Sequence, residues 1–204
     1  MKATRKEFDF STRFWSLLKR EEYEKARALL EKELLTDPEN HWLITQLGVT
    51  FYEQRKYDEA LRYFRRSREI LDDCPLTLWN LAGALDAVGK HSEAIEIYTS
   101  LLESKITADI DPCWESEAWS DRLKADCVYR LGVCFQNQRK KKSAKHCYRQ
   151  YLDLLSIGVD GTYSSQEVVE KLRGLLPARS NGSRQLHKAV DSAIQSFALN
   201  IDAR

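Results

Sequence analysis

The chain has 204 residues, 43% of them apolar and 31% charged, with only 8 glycines and 4 prolines. That length can bury a real core, and so few breakers suit exposed amphipathic helices better than a β-rich fold. A net charge of +1 provides no global field toward nucleic acid or a membrane surface, and neither is expected as a partner.

The first ten residues are charged and contain no apolar segment, so they do not read as a secretory signal. No run approaches the roughly 18 apolar residues of a membrane span. A soluble, cytoplasmic protein is the expectation. Five cysteines, Cys74, Cys113, Cys127, Cys134 and Cys147, are an odd number without a CxxC pair. Metal ligands usually come as closely spaced pairs, and a zinc site on His146 and Cys147 would need two more ligands. Buried thiols are expected, with no metal and no cofactor.

In chain order, residues 7–40, 41–74 and 75–108 align without gaps at a period of 34, and a fourth copy, 125–158, fits after an insertion at 109–124. Such a period is the mark of a repeat architecture. One column reads Ala26, Ala60, Ala94 and Ala144; another reads Phe14, Gly48, Ala82 and Gly132. Around them stand Leu17, Phe51, Leu85 and Phe135, then Leu30, Phe64, Tyr98 and Tyr148. In the second copy Ile44, Leu47, Gly48 and Phe51 follow the i, i+3, i+4, i+7 spacing of one helical stripe, and Ala60 with Phe64 begins a second. Each copy is therefore a helix–turn–helix. Close approach of its helices needs a small side chain, so Gly48 is expected to face Ala60. Asp58 and Ser92 are expected as N-caps of second helices. Asp37-Pro38 and Cys74-Pro75 mark joints between copies.

Asp111-Pro112 in the insertion predicts a helix from about 112 to 137. Its start carries Asp109, Asp111, Glu115, Glu117 and Asp121 with Trp114 and Trp119, either as favourable helix-start acids or as a partner contact. After 158 the period is lost. Residues 165–176 predict an amphipathic helix whose Val168, Val169, Leu172 and Leu176 cover the last open face, as arrays require. Residues 178–183 read as a linker. A final helix, 185–200, carries Leu186, Val190, Ala193, Ile194 and Phe197 on one side.

The period, with Gln46-Leu-Gly-Val-Thr-Phe51, Trp79-Asn-Leu-Ala-Gly-Ala-Leu85, Tyr57-Asp-Glu-Ala-Leu61 and Ser92-Glu-Ala-Ile95, resembles the tetratricopeptide repeat (TPR). Arg13 and Phe14 depart from the family's leucine and small residue. The resemblance implies an all-α fold, a right-handed superhelical array of about four TPR hairpins over 7–158, with C-terminal capping helices in 159–204. It implies that first helices line a concave groove holding a protein or peptide partner. The groove residues would be Trp15, Trp42, Gln46, Val49, Tyr52, Trp79, Asn80, Tyr129, Arg130 and Val133, joined by Ser11, Thr45, Gly83, Asp86 and Gln136. Rings supply contact area and polar groups pair a peptide backbone.

Some TPR proteins clamp a chaperone's C-terminal carboxylate with Lys, Asn and Arg. Asn80 and Arg130 fall in clamp columns, but Thr45, Val49 and Asp126 replace the rest, and Asp126 would repel a carboxylate. Arg62, Arg65, Arg66 and Arg68 on one helix, and Arg139 to Lys142 with Lys145, read as solvated surfaces; the second run could also pair with an acidic partner or a neighbouring chain's acidic insertion. No phosphate loop, GxSxG or HExxH is present, so no catalytic residue is assigned. The expected function is a scaffold or adaptor. The alternative is self-assembly through the C-terminal helix or array ends.

Overall fold

The computed structural model describes residues 5–106, 113 and 115–175, with side chains from residue 10. The final helix expected at 185–200, the linker at 178–183, Leu176, Trp114 and the Asp111-Pro112 pair lie outside them. Among the described residues every regular element is a helix: α1 (Arg5–Lys19), α2 (Tyr23–Leu34), α3 (His41–Glu53), α4 (Tyr57–Ile70), α5 (Pro75–Ala87), α6 (His91–Glu103), α7 (Glu117–Asn137), α8 (Lys141–Ser156) and α9 (Ser165–Gly174). The chain forms two compact units that divide within α6, between Ala94 and Ile95.

One turn geometry serves all four hairpins. The first helix ends on a residue with positive φ, Glu21 (58°), Arg55 (59°), Gly89 (83°) and Arg139 (60°). The next amide then reaches back five residues: Glu22 to Leu17, Lys56 to Phe51, Lys90 to Leu85, and Lys140 to Phe135, at 2.8–3.0 Å. Glu21, Arg55, Gly89 and Arg139 themselves donate to the carbonyls three residues earlier. This is the Schellman closure of a helix end. The same residue that closes one helix opens the next, because Glu22, Lys56, Lys90 and Lys140 accept from the amides of Ala26, Ala60, Ala94 and Ala144.

That economy corrects the expected caps. Lys56 is the N-cap of α4 and has no side-chain cap bond, so Asp58 lies in the first turn. The helix α6 starts at His91, one residue before Ser92. With the chain turned directly into the helix, no position remains for a separate capping side chain. Between hairpins, conventional caps do appear. Asn40 Oδ1 accepts from Leu43 N at 3.0 Å, and Pro75 occupies the first position of α5. The helix expected from 112 starts instead at Glu117, where Ser116 Oγ accepts from Trp119 N at 3.1 Å.

In the first unit, Phe14, Leu17, Ala26, Leu30, Leu43 and Leu47 form one core, while α3 packs on α4 and α5. All four repeat alanines are fully buried. A Cβ on Gly48 would collide with the Phe64 ring, and one on Gly132 would stand 2.6 Å from Tyr148 Cε1. The glycine therefore admits the aromatic ring sixteen residues on. The first hairpin inverts the exchange, with the ring at Phe14 and the smaller Leu30, both fully buried.

Also in this unit, Thr45 Oγ1 lies 2.7 Å from Ser67 Oγ and 2.8 Å from Thr77 Oγ1, and Ser67 donates to the His41 carbonyl at 2.8 Å. Three hydroxyls so closed on one another can be buried without leaving polar atoms unmatched.

In the second unit, Tyr129, Ala144, Tyr148, Tyr151, Val168, Leu172 and Leu175 share a core. The covering helix expected after the repeats is α9, capped by Ser164, with Val168, Val169 and Leu172 buried.

Candidate functional site

The first-helix residues expected to bind differ between the units. In the first unit, α1 holds Trp15 with 52% of its surface exposed, its ring edge-on to the buried Phe14 at 5.1 Å. On α3, Trp42 is half-buried: its ring meets Phe10 and Phe14 edge-on at 6.3 and 6.2 Å. It thus joins α1 to α3 while keeping one side accessible. Val49 and Tyr52 are half-buried too, and Tyr52 lies edge-on to Tyr57 at 5.4 Å. On α5, Trp79 and Asn80 are half-buried; Asn80 Nδ2 donates to the Leu76 carbonyl of its own helix at 2.8 Å.

Gln46 departs from its expected role. It is 2% exposed, and its Oε1 has no hydrogen-bond partner among the described residues. Thr45 is likewise consumed, by the hydroxyl cluster. Asp86 is buried and meets His91 Nδ1 at 2.6 Å, tying the end of α5 to the start of α6.

In the second unit Tyr129 is covered by the chain itself, while Arg130, Val133 and Gln136 are half-buried. Tyr129 is 3% exposed, donates its hydroxyl to Glu167 Oε1, and stacks on Tyr163 with ring centres 3.8 Å apart. Burial, then the bond to Glu167, pushes this phenol above its ordinary range. Arg130 lays its guanidinium over the other residue's ring, 5.2 Å from the Tyr163 centroid. Val133 packs against the same core, and Gln136 accepts from Tyr148 Oη at 2.9 Å. The segment carrying Tyr163 is pinned at two points. Tyr151 Oη donates to the Tyr163 carbonyl at 2.8 Å and receives its amide at 3.0 Å, and burial pushes the Tyr151 phenol up to about 12. Asp126 accepts from Thr162 N at 2.9 Å and Thr162 Oγ1 at 2.6 Å.

Tyr129 is therefore a buried anchor of the 158–164 segment rather than an open groove residue, whereas Arg130 and Val133, expected beside it, stay half-buried. Tyr163 and Thr162 are the residues that sequence reasoning missed. The one available signal was Asp126, an acid in a column where a carboxylate-binding array wants a lysine. Its place is explained by Thr162.

Cys74, Cys127, Cys134 and Cys147 are buried and Cys113 is half-buried. Burial raises Cys127 and Cys147 above the usual thiol range, which disfavours the thiolate needed for attack or ligation. The arginines of α4, Arg62, Arg65, Arg66 and Arg68, are exposed, and Arg66 donates to the Pro38 carbonyl at 3.2 Å. No helix among the described residues is long and apolar enough to cross a membrane.

Tetratricopeptide repeat models match residues 12–68, 41–106 and 126–154, together more than half of the chain. The comparison with curated proteins gave no match. Among solved structures, MamA 41-end from Desulfovibrio magneticus RS-1 aligns at 12% identity over 100% of this chain and 99% of that one, with a TM-score of 0.65. The MamA RS-1 ArsTM double mutant aligns at 12% identity over 100% of both chains, with a TM-score of 0.65. MamA AMB-1 aligns at 20% identity over 69% of this chain and 74% of that one, at 0.52. Likeness at such identities speaks for the fold alone. With the 34-residue period, the recurring turn and the matching models together, the chain belongs to the tetratricopeptide repeat family, an all-α array of a kind that serves as a protein-interaction scaffold.

Proposed function

We propose that this protein is a non-enzymatic adaptor that holds an extended peptide segment of a partner against the first-helix face of its first unit. The observation that carries the reading is Trp15, a tryptophan 52% exposed next to the fully buried Phe14. An exposed tryptophan ring offers rigid contact area at small entropic cost, the usual character of a binding hot spot. Val49, Tyr52, Trp79 and Asn80 extend the proposed surface along α3 and α5. The part of α7 around the buried Tyr129 contributes no direct contact in this reading.

The test pairs capture with folding. Partners recovered by affinity pull-down are identified by mass spectrometry, and the binding segment is titrated as a synthetic peptide. Trp15→Ala is expected to weaken that peptide by about tenfold or more, a loss of at least 1.4 kcal/mol, with the circular-dichroism melt unchanged. Equal affinity for wild type, Trp15→Ala and Trp42→Ala would remove the first-unit surface from consideration.

A further inference from the structure

Two stretches of the second unit carry charge of opposite sign, the acidic one lying between Lys105 and Arg122. From Ile106 to Asp121 the sequence has five acids and no Lys or Arg; from Cys127 to Leu152 it has seven Lys and Arg and no acid. At one pole Glu115, Glu117 and Asp121 are exposed around the start of α7. At the other, Arg139, Lys141, Lys142 and Arg149 are exposed, with Lys145 half-buried among them, on the turn after α7 and along α8. The ion pairs found among the described residues use none of these eight side chains.

Helix α7 fixes the spacing between them. Its 21 residues span about 30 Å at 1.5 Å per residue, some three Debye lengths at 0.1 M salt. The poles of one molecule cannot neutralise each other.

The repeat supplies an internal control. The second helices of the other hairpins carry acids in their first turns: Glu24 in α2, Asp58 and Glu59 in α4, Glu93 in α6; α8 has none. The turn folds identically in all four, so the fold does not require lysines there. Cations at a helix start oppose its dipole, so Lys141 and Lys142 work against the helix that bears them.

We propose that the basic pole of one molecule binds the acidic pole of a second copy, in a head-to-tail contact made by the second unit. Two different patches meet, so the contact is heterologous and extends into chains unless its rotation closes a ring. Exposed ion pairs are individually weak and screened by salt, so assembly depends on concentration and ionic strength.

The experiment is sedimentation velocity of the full chain across protein concentration at about 20 mM and about 500 mM NaCl, where the screening length falls severalfold. The expected result is a mass above the 23.7 kDa monomer that rises with concentration in low salt and returns to monomer in high salt. K141E/K142E/K145E and E115K/E117K/D121K are each expected to be monomeric alone and to reassociate when mixed, because the mixture restores opposite charge at both contacts. Lys→Gln, Glu→Gln and Asp→Asn versions at the same positions stand in if a charge reversal alters the melt; they are expected to be monomeric alone and, when mixed, to form a heterodimer that extends no further, through the one contact between the acidic pole left in the first and the basic pole left in the second. A wild-type chain that stays monomeric in low salt at all concentrations overturns the proposal, including when it captures an acidic partner protein instead. So do single-pole variants that still associate, or reversed variants that fail to recombine.

Discussion

The hairpins α3/α4 and α7/α8 are built on one plan and used in different ways. Both close on the same positive-φ turn, at Arg55 and Arg139, and both seat an aromatic ring on a first-helix glycine, Phe64 on Gly48 and Tyr148 on Gly132. Outside that shared core they diverge. The outward residues of α3 include the half-buried Trp42, Val49 and Tyr52, whereas those of α7 are roofed by Tyr163 and tied to Thr162 and Glu167. The repeat thus constrains the faces that touch within a hairpin and leaves the other faces to vary.

The hardest way to break the shared plan is to fill the glycine. Gly48→Val and Gly132→Val are each expected to destabilise by about 3 kcal/mol or more, because the ring opposite has no room to move in a packed interior. Thermal melts should fall by a similar amount for both, and a large loss at only one site would mean the hairpins are not equivalent. Tyr163→Ala attacks only the second hairpin, removing the ring held between Tyr129 and Arg130. A cost of about 2 kcal/mol is expected, with faster proteolysis between residues 158 and 164 as the local readout.

The turns allow a finer comparison. Gly89 adopts a positive φ without strain, whereas Arg55 and Arg139 hold it at a steric cost. Arg55→Gly and Arg139→Gly should each stabilise by about 0.5–1 kcal/mol, and Gly89→Ala should lose about 1 kcal/mol; urea midpoints would check the signs.

Asp126 distinguishes the second unit by pH. Burial, the largest influence, raises its carboxyl above the ordinary value despite the two Thr162 bonds. A carboxyl raised in the fold favours the protonated folded state, so its contribution is present below the unfolded value near 3.8 and is lost as pH rises through the folded value. Asp126→Asn does not titrate, so its stability should gain on the wild type as pH rises through that range; parallel pH profiles would contradict the assignment. The smallest expected effect is Lys142→Glu, which puts an acid where α4 has one and should add a few tenths of a kcal/mol to the stability of α8.

Much of the fold was legible because packing inside a hairpin repeats. Ala26, Ala60, Ala94 and Ala144 are spaced by the repeat and are all fully buried, and Val168, Val169 and Leu172 read as a covering stripe and are one. Asp58 and Ser92 misled because capping by a side chain and closure by a backbone turn leave similar polar residues near a helix start. That Gly48 admits the Phe64 ring was not legible, since periodicity reveals which residues share a face, not which atom across the gap comes nearest. Of the candidate site, spacing put Trp15, Trp42, Tyr129 and Arg130 in one class of position; Trp15 is exposed, Trp42 and Arg130 are half-buried, and Tyr129 is buried because Tyr163 stacks on it.

What the sequence by itself determined was everything carried by local spacing: the 34-residue hairpin, the buried alanine column, the acidic and basic stretches. These follow from the 3.6-residue helical period and from charge order, which need no knowledge of distant contacts. Only the tertiary structure decided that the segment after Gly158 returns across α7, that Asp126 is held by Thr162, and that Gln46 is buried. Each depends on residues up to 38 apart in the chain meeting in space, and no period links them. The alignment of the four hairpins shows where a surface can form, and the irregular chain after the last hairpin decides that Tyr129 on α7 is covered.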